Sequence, residues 1–279
     1  MKASFKTKLV TSFLAVILIC GLVATLVGAR LIGTGLIRQA QDKVRNDLNS
    51  AREIYRQEGE HLKDTVRLTA LRFFIKDALL QDDLKTLTEV LESIRKAESF
   101  DILTLTDNSG RVLVRTRNPS ISRDSQAEDD LVSRIMSTKQ AVAATVIVPE
   151  GELSKEGIDL VKQACIELIP TPKARPTLEM RQTSGMMLKA GAPVHGYDGN
   201  LLGVLYAGRL INRNYKIVDK VKDTVYQAVK YRGKDIGTAT IFQGDLRIST
   251  NVMRKDGTRA IGTRVSEEVY EQVIVKGLP

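Results

Sequence analysis

The sequence predicts an α+β protein: a membrane-crossing helix, a long helical stalk, and an antiparallel sheet with helices on its face. Three observations predict it. Leu9 to Ala29 is an unbroken apolar run without a charge. Ile37 to about Ala97 contains no proline and keeps a helical apolar spacing. From Phe100 the spacing changes to that of strands, and the new order of elements repeats from Thr238.

Lys8 and Arg30 bracket the apolar run. At about 1.5 Å per residue it crosses about 30 Å of hydrocarbon as a helix. Lys2, Lys6 and Lys8 precede it, which holds the N-terminus in the cytoplasm and puts everything after Arg30 outside. A signal peptide cleaved near Val27 and Ala29 is the rival reading, but its apolar core is only about 7–15 residues. Cys20 follows Ile19 rather than a small residue, so it reads as a buried apolar residue and not as a lipid-attachment site. Ala24 and Gly28 are small enough for a second helix to approach closely.

In the stalk, Val44, Leu48, Ala51, Tyr55, Leu62 and Val66 share one stripe, and the opposite positions are charged. Such a stripe needs a cover, either the adjoining domain or the same helix of a second subunit. Gly59 interrupts the pattern and marks an expected bend. A stop and restart is expected at Gln81-Asp82-Asp83, with Leu84, Leu87, Val90, Leu91 and Ile94 facing the core.

Phe100–Thr106 and Val112–Thr116 read as strands joined by the turn Asp107-Asn108-Ser109-Gly110. Ser125 with Glu128 three residues on reads as a capping box that opens a helix over Leu131, Ile135 and Met136. A strand at Ala141–Val148, a helix at Ser154–Ala164 and a strand at Ile166–Ile169 follow, then a loop marked by Pro170, Pro172 and Pro176. Strands Met186–Val194 and Leu201–Leu210 complete a sheet of about five strands. Asn212–Lys230 reads as a connector helix. Thr238–Phe242, the turn Gln243-Gly244-Asp245, Leu246–Thr250 and a helix from Ser266 then repeat the first order. The segments are therefore 1–8, 9–29 (membrane), 30–98 (stalk), 99–211 (first module), 212–232 (connector) and 233–279 (second module). A hairpin and one helix cannot bury their apolar faces alone. The second module is expected to be incomplete, as part of a longer product.

Composition narrows the function. Hydrophobic residues at 43% suffice for a packed core. Cys20 lies in the membrane run, so Cys165 has no intrachain partner and this is no disulfide scaffold. The net charge of +9 does not point to nucleic acid, because the basic residues are spread among 33 acidic ones and lie outside the cytoplasm. It suits a solvated surface biased toward anions.

The chain resembles extracytoplasmic double Cache sensors, PAS-like pairs of modules in bacterial receptors. The resemblance rests on Pro170-Thr171-Pro172-Lys173-Ala174-Arg175-Pro176, Ala192-Pro193-Val194 with Tyr197-Asp198-Gly199, and Leu202-Gly203-Val204-Leu205-Tyr206-Ala207-Gly208. Its most specific part is Gly237-Thr238-Ala239-Thr240-Ile241-Phe242-Gln243-Gly244-Asp245, continued by Arg247-Ile248-Ser249-Thr250-Asn251-Val252. It covers roughly 46–279 and implies a PAS-like sheet module, a second PAS-like module, a second membrane helix and a cytoplasmic transmitter. A sensor histidine kinase is the favoured transmitter. A chemotaxis-type transducer and a cyclic-dinucleotide enzyme are the alternatives.

No catalytic constellation is found. His61 and His195 are the only histidines and stand far apart, which argues against a zinc site, and neither begins the His-Glu pattern expected of a phosphoacceptor helix. GxSxG, Walker A and GxGxxG are absent. Asp107 and Asp245 are explained as turn formers. No cofactor is expected. Ligand binding remains, and the resemblance implies a small molecule held between a sheet face and the loops above it. The candidate residues are Tyr206, Arg209 and Lys189 on the two long strands and Arg181 before them. Tyr206 is expected to share its face with Leu202 and Val204. Cations there would pair with a carboxylate. The expected assembly is a homodimer in the bacterial inner membrane. A membrane-anchored interaction protein without a transmitter is the rival class.

Overall fold

The structure, a computed structural model, describes residues 5–227, 229–231 and 233–278, and side chains throughout these except at 7, 8, 11, 12, 230, 231 and 234. Lys2, Ala228, Arg232 and Pro279, used in the sequence reading, lie outside the described residues. The chain divides into Met1–Ser50 and a compact unit Ala51–Pro279.

Helix α1 runs over Phe5–Ala70. Among the described residues it is the one helix long and apolar enough to cross a membrane, by length and composition. Its apolar residues from Leu9 to Val27 are exposed, as are Val44 and Leu48. Further on, Ile54, Leu62, Val66 and Ala70 are buried. Gly59 lies inside the continuous helix α1 and faces the Leu188 side chain, with 3.5 Å left for a methyl group, an ordinary contact distance. Helices α2 (Phe73–Leu80) and α3 (Leu84–Ala97) follow. The expected restart is at α3, where the Asp83 side chain accepts from the Thr86 N–H. The break between α1 and α2 at Leu71-Arg72 carries neither glycine nor proline and was not expected.

The sheet strands are β1 (Ile102–Asp107), β2 (Val112–Arg115), β3 (Val142–Val148), β6 (Gly185–His195) and β7 (Leu201–Leu210). They pair antiparallel in the order β2-β1-β7-β6-β3. Tyr206 stands opposite Thr104 on β1 and Gly191 on β6, and Gly208 opposite Lys189. Period-two alternation then separates two faces. One face carries Leu103, Leu105, Leu188, Ala190, Ala192 and Leu205, packed in one cluster with Leu62, Val66, Leu87 and Leu91 of the helices. The other carries Ile102, Met187, Val204, Tyr206 and Leu210 against a second helical layer. Leu202 packs with the first cluster, so of the two neighbours expected for Tyr206 Val204 shares its face and Leu202 does not.

That second layer is α4 (Asp130–Thr138), α5 (Glu150–Glu156) and α6 (Ile158–Ala164). Helix α4 starts four residues later than the capping box implied, with Asp129 rather than Ser125 at its N-cap. Ser125 is taken by a bridge to Arg111, and 124–126 runs beside β2, with Val112 N–H donating to the Asp124 carbonyl. The helix expected over Ser154–Ala164 starts at Glu150 and is cut in two by extended backbone at Gly157. Strands β4 (Ile166–Glu167) and β5 (Arg181–Gln182) pair across the proline loop.

The connector is shorter than expected: α7 spans Lys216–Tyr226. Asn212 cannot join it, because its buried side chain accepts from Met186 N–H and donates to the Ala164 carbonyl. After α7 come β8 (Lys230–Tyr231) and β9 (Lys234–Asp235), where helix was expected to persist to Lys230. The second hairpin is β10 (Thr240–Gln243) with β11 (Leu246–Thr250). Its register slips once, between Ile241 and Phe242, as that of β1–β2 slips between Leu105 and Thr106. Ser266 caps α8 (Glu267–Val269), which passes into a π-helical turn, Tyr270–Val275.

Candidate ligand cavity

A cavity of about 350 Å³ opens on the second sheet face. Strands β6 and β7 bring Met187, Lys189 and Tyr206 to its floor, β2 brings Arg115, β3 brings Thr145 and Val146, and α5 brings Leu153 and Glu156. The loop before α4 adds Gln126 and Asp129. Gly191 beside Tyr206 permits this packing: a methyl group there would stand 2.6 Å from Ile135 and 2.9 Å from Leu131 of α4.

Two ion-pair systems meet in the wall. In the first, Arg115 is 1% exposed and donates from Nε to Glu156 Oε1 at 2.9 Å. Its Nη1 donates to Asp124 Oδ1 at 3.0 Å and to the Ile121 carbonyl at 2.6 Å. Burial works against the Arg115 charge, but Asp124 and Glu156 outweigh it and keep the guanidinium firmly protonated. Burial also works against Asp124, yet hydrogen bonds from Arg115 and Lys155 hold its carboxyl down at about 2. Glu156 behaves oppositely. Its burial pushes the carboxyl up, and Arg115 offsets this only in part. Its Oε1 also accepts from Thr104 at 3.2 Å, while its buried Oε2 has no partner among the described residues.

In the second system, Lys189 Nζ donates to Asp129 Oδ2 at 2.6 Å and lies 4.3 Å from the Tyr206 ring centre. Asp129 Oδ1 accepts from Leu131 and Val132 N–H, both at 3.1 Å, so one carboxylate caps α4 and holds the strand lysine. Tyr206 is buried, and its phenol is pushed up by that burial first and by the Glu156 charge second.

Of the four residues proposed from sequence, the structure brings Lys189 and Tyr206 together here. Arg209 does not join them. It is three residues beyond Tyr206 and opposite Leu188, which places it on the other sheet face. There it donates to the Glu98 carbonyl and lies 5.4 Å from the Phe100 ring centre. Arg181 is exposed on β5 and does not line the cavity. Arg115, Asp129 and Glu156 were missed. A charged residue closing the apolar strand Val112-Leu113-Val114, and an acid directly before the apolar face of α4, were the available signals. His61 is exposed, and His195 ends β6 half-buried.

The sheet is packed by helices on both faces and holds a small polar cavity under the second helical layer. The family is shown by sequence. Residues 37–229 match the model for the double sensory domain of two-component sensor kinases, and 209–279 match single Cache domain 3. The chain belongs to the double Cache sensory family, as its motifs led us to expect. No curated protein sequence matches it significantly. Solved structures similar to it include the periplasmic domain of Vibrio cholerae LuxQ, 14% identical, with TM-score 0.49, covering 77% of this chain and 82% of that one. The Escherichia coli DcuS sensor domain is 13% identical, with TM-score 0.31, covering 54% of this chain and 89% of that one. The ligand-binding domain of Campylobacter jejuni chemoreceptor Tlp3, solved with 4-methylisoleucine, is 12% identical, with TM-score 0.40 and coverage of 75% and 67%.

Proposed function

We propose that the chain is the extracytoplasmic signal-input part of a bacterial inner-membrane receptor and that the Tyr206 cavity is its small-molecule site. The observation that carries this reading is a cavity of about 350 Å³, walled by buried ionised side chains, in a member of a sensory family. Helix α1 supplies the anchor, with its N-terminus cytoplasmic. The exposed Val44 and Leu48 are offered to a second copy, which makes the receptor a homodimer. The chain acts by binding rather than by catalysis. Occupancy can shift the receptor only by the ligand's difference in affinity between two arrangements. A histidine kinase output is supported by the family's description. A chemotaxis-type or cyclic-dinucleotide receptor is the alternative within this class, and a membrane-anchored interaction protein without transmitter is the alternative outside it.

The test is a metabolite screen by thermal unfolding of the full chain in lipid nanodiscs. A stabilising compound whose effect disappears in Tyr206→Ala and persists in Arg209→Ala supports the reading. No stabilising compound, or one indifferent to Tyr206→Ala, removes the cavity from the account.

A further inference from the structure

We infer that the cavity selects a small organic cation, an ammonium or amidinium on a short apolar body, and holds it on Glu156. This deepens the proposed function and rests on the cavity being the ligand site.

The first argument is an acceptor left over. The Glu156 side chain is 7% exposed, and both donors that reach it, Arg115 and Thr104, go to Oε1. Oε2 is buried on a residue of the cavity wall and has no donor among the described residues. A buried charged acceptor without a donor is costly, and a ligand N–H placed there removes that cost.

The second argument is that the cations are already used. Arg115 spends Nε on Glu156, Nη1 on Asp124 and the Ile121 carbonyl, and Nη2 on Asp124. Lys189 gives one ammonium N–H to Asp129. A carboxylate ligand, the expectation from sequence, would meet cations whose charge is already balanced by these carboxylates.

The third argument is charge balance. Asp129, Asp130, Glu152 and Glu156 line the cavity against two cations, Arg115 and Lys189. The field inside such a cleft concentrates cations. Among the described residues no three acidic, His or Cys side chains are grouped to hold a metal ion. The apolar wall of Ile102, Leu153 and Met187 also suits a carbon chain rather than a bare ion. A few-carbon amine is the occupant of matching size and chemistry.

The test uses three probes of equal length, butylammonium, butyrate and butanol, titrated calorimetrically into the full chain in lipid nanodiscs at neutral pH. Butylammonium is expected to bind about tenfold or more tightly than butyrate, the effect of one hydrogen bond to a charged group. Glu156→Gln is expected to remove that preference. Because Glu156 also braces Arg115, the exposed rim residue Asp130 provides a second variant. Asp130→Asn is expected to weaken butylammonium about twofold and to leave butanol unchanged. Butyrate binding as well as butylammonium overturns the inference, as does full butylammonium affinity in either variant. Absence of butylammonium binding also overturns it. In that case a Tyr206-dependent hit in the metabolite screen keeps the cavity reading, and failure of both experiments removes the reading too.

Discussion

The two faces of the five-stranded sheet solve different problems with the same strands. The face toward α1, α2 and α3 is filled by leucine, alanine and valine and needs only volume and shape. The face toward α4, α5 and α6 gives up apolar packing around Tyr206 for Arg115, Glu156, Lys189 and Asp129. Burying charges does not stabilise a fold cheaply. The first face therefore supplies the stability, and the second spends it on a site whose geometry depends on every partner being present.

The sharpest way to break this contrast is Arg115→Met. It leaves Glu156 buried without its counter-charge and is expected to cost about 3–5 kcal/mol in chemical denaturation. Adding Glu156→Gln is expected to recover part of that loss; no recovery means that Arg115 acts mainly through packing. On the other face, Leu91→Ala removes a fully buried side chain and is expected to cost about 2–5 kcal/mol. The same substitution is expected to leave ligand selectivity unchanged in a folded sample, whereas the charge variants alter it. Asp129→Ala removes the cap of α4 and the partner of Lys189 together. It is expected to cost about 2–4 kcal/mol, the lost cap together with a buried lysine left unpaired, and hydrogen exchange is expected to rise in the first turn of α4 before it rises in α1.

The smallest effect is one of pH. Asp124 is held at about 2, below its unfolded value, so its contribution is present above the ordinary carboxylate range and is lost as pH falls through 4 toward 2. Glu156 is raised, so its buried charge works against folding as pH rises through its folded value. The two signs oppose. Asp124→Asn is expected to lower the thermal midpoint at neutral pH and to converge with wild type near pH 2. A difference that is the same at both pH values contradicts the ion-pair account.

How much of this was legible depended on how far apart the partners lie in the chain. The β1–β2 hairpin was legible because Asp107 makes its own turn, accepting from Ser109 and Arg111 N–H. Tyr206 was placed beside Val204 by strand parity, a local property, whereas Lys189 was chosen for its charge and reaches the same face through the β6–β7 register. The same parity rule, carried through the register, removes Arg209. The charge network was not legible. Arg115, Asp124 and Glu156 come from a strand, a loop and a helix, and only the folded chain makes them neighbours. At Ser125 the local rule misled, because the backbone there is committed to the β2 edge. The α1–α2 break escaped because no residue with a special backbone preference marks it.

The two oxygens of Asp129 moor separate pieces of the molecule. One is tied to the first backbone amides of α4, and the other to a lysine rooted in β6. The carboxylate is rigid and planar, so a pull on either tether is felt at the other within the span of one side chain. Any occupant that draws Lys189 sideways also bears on the leading turn of α4. At this point the cavity wall and the leading turn of α4 share one carboxylate.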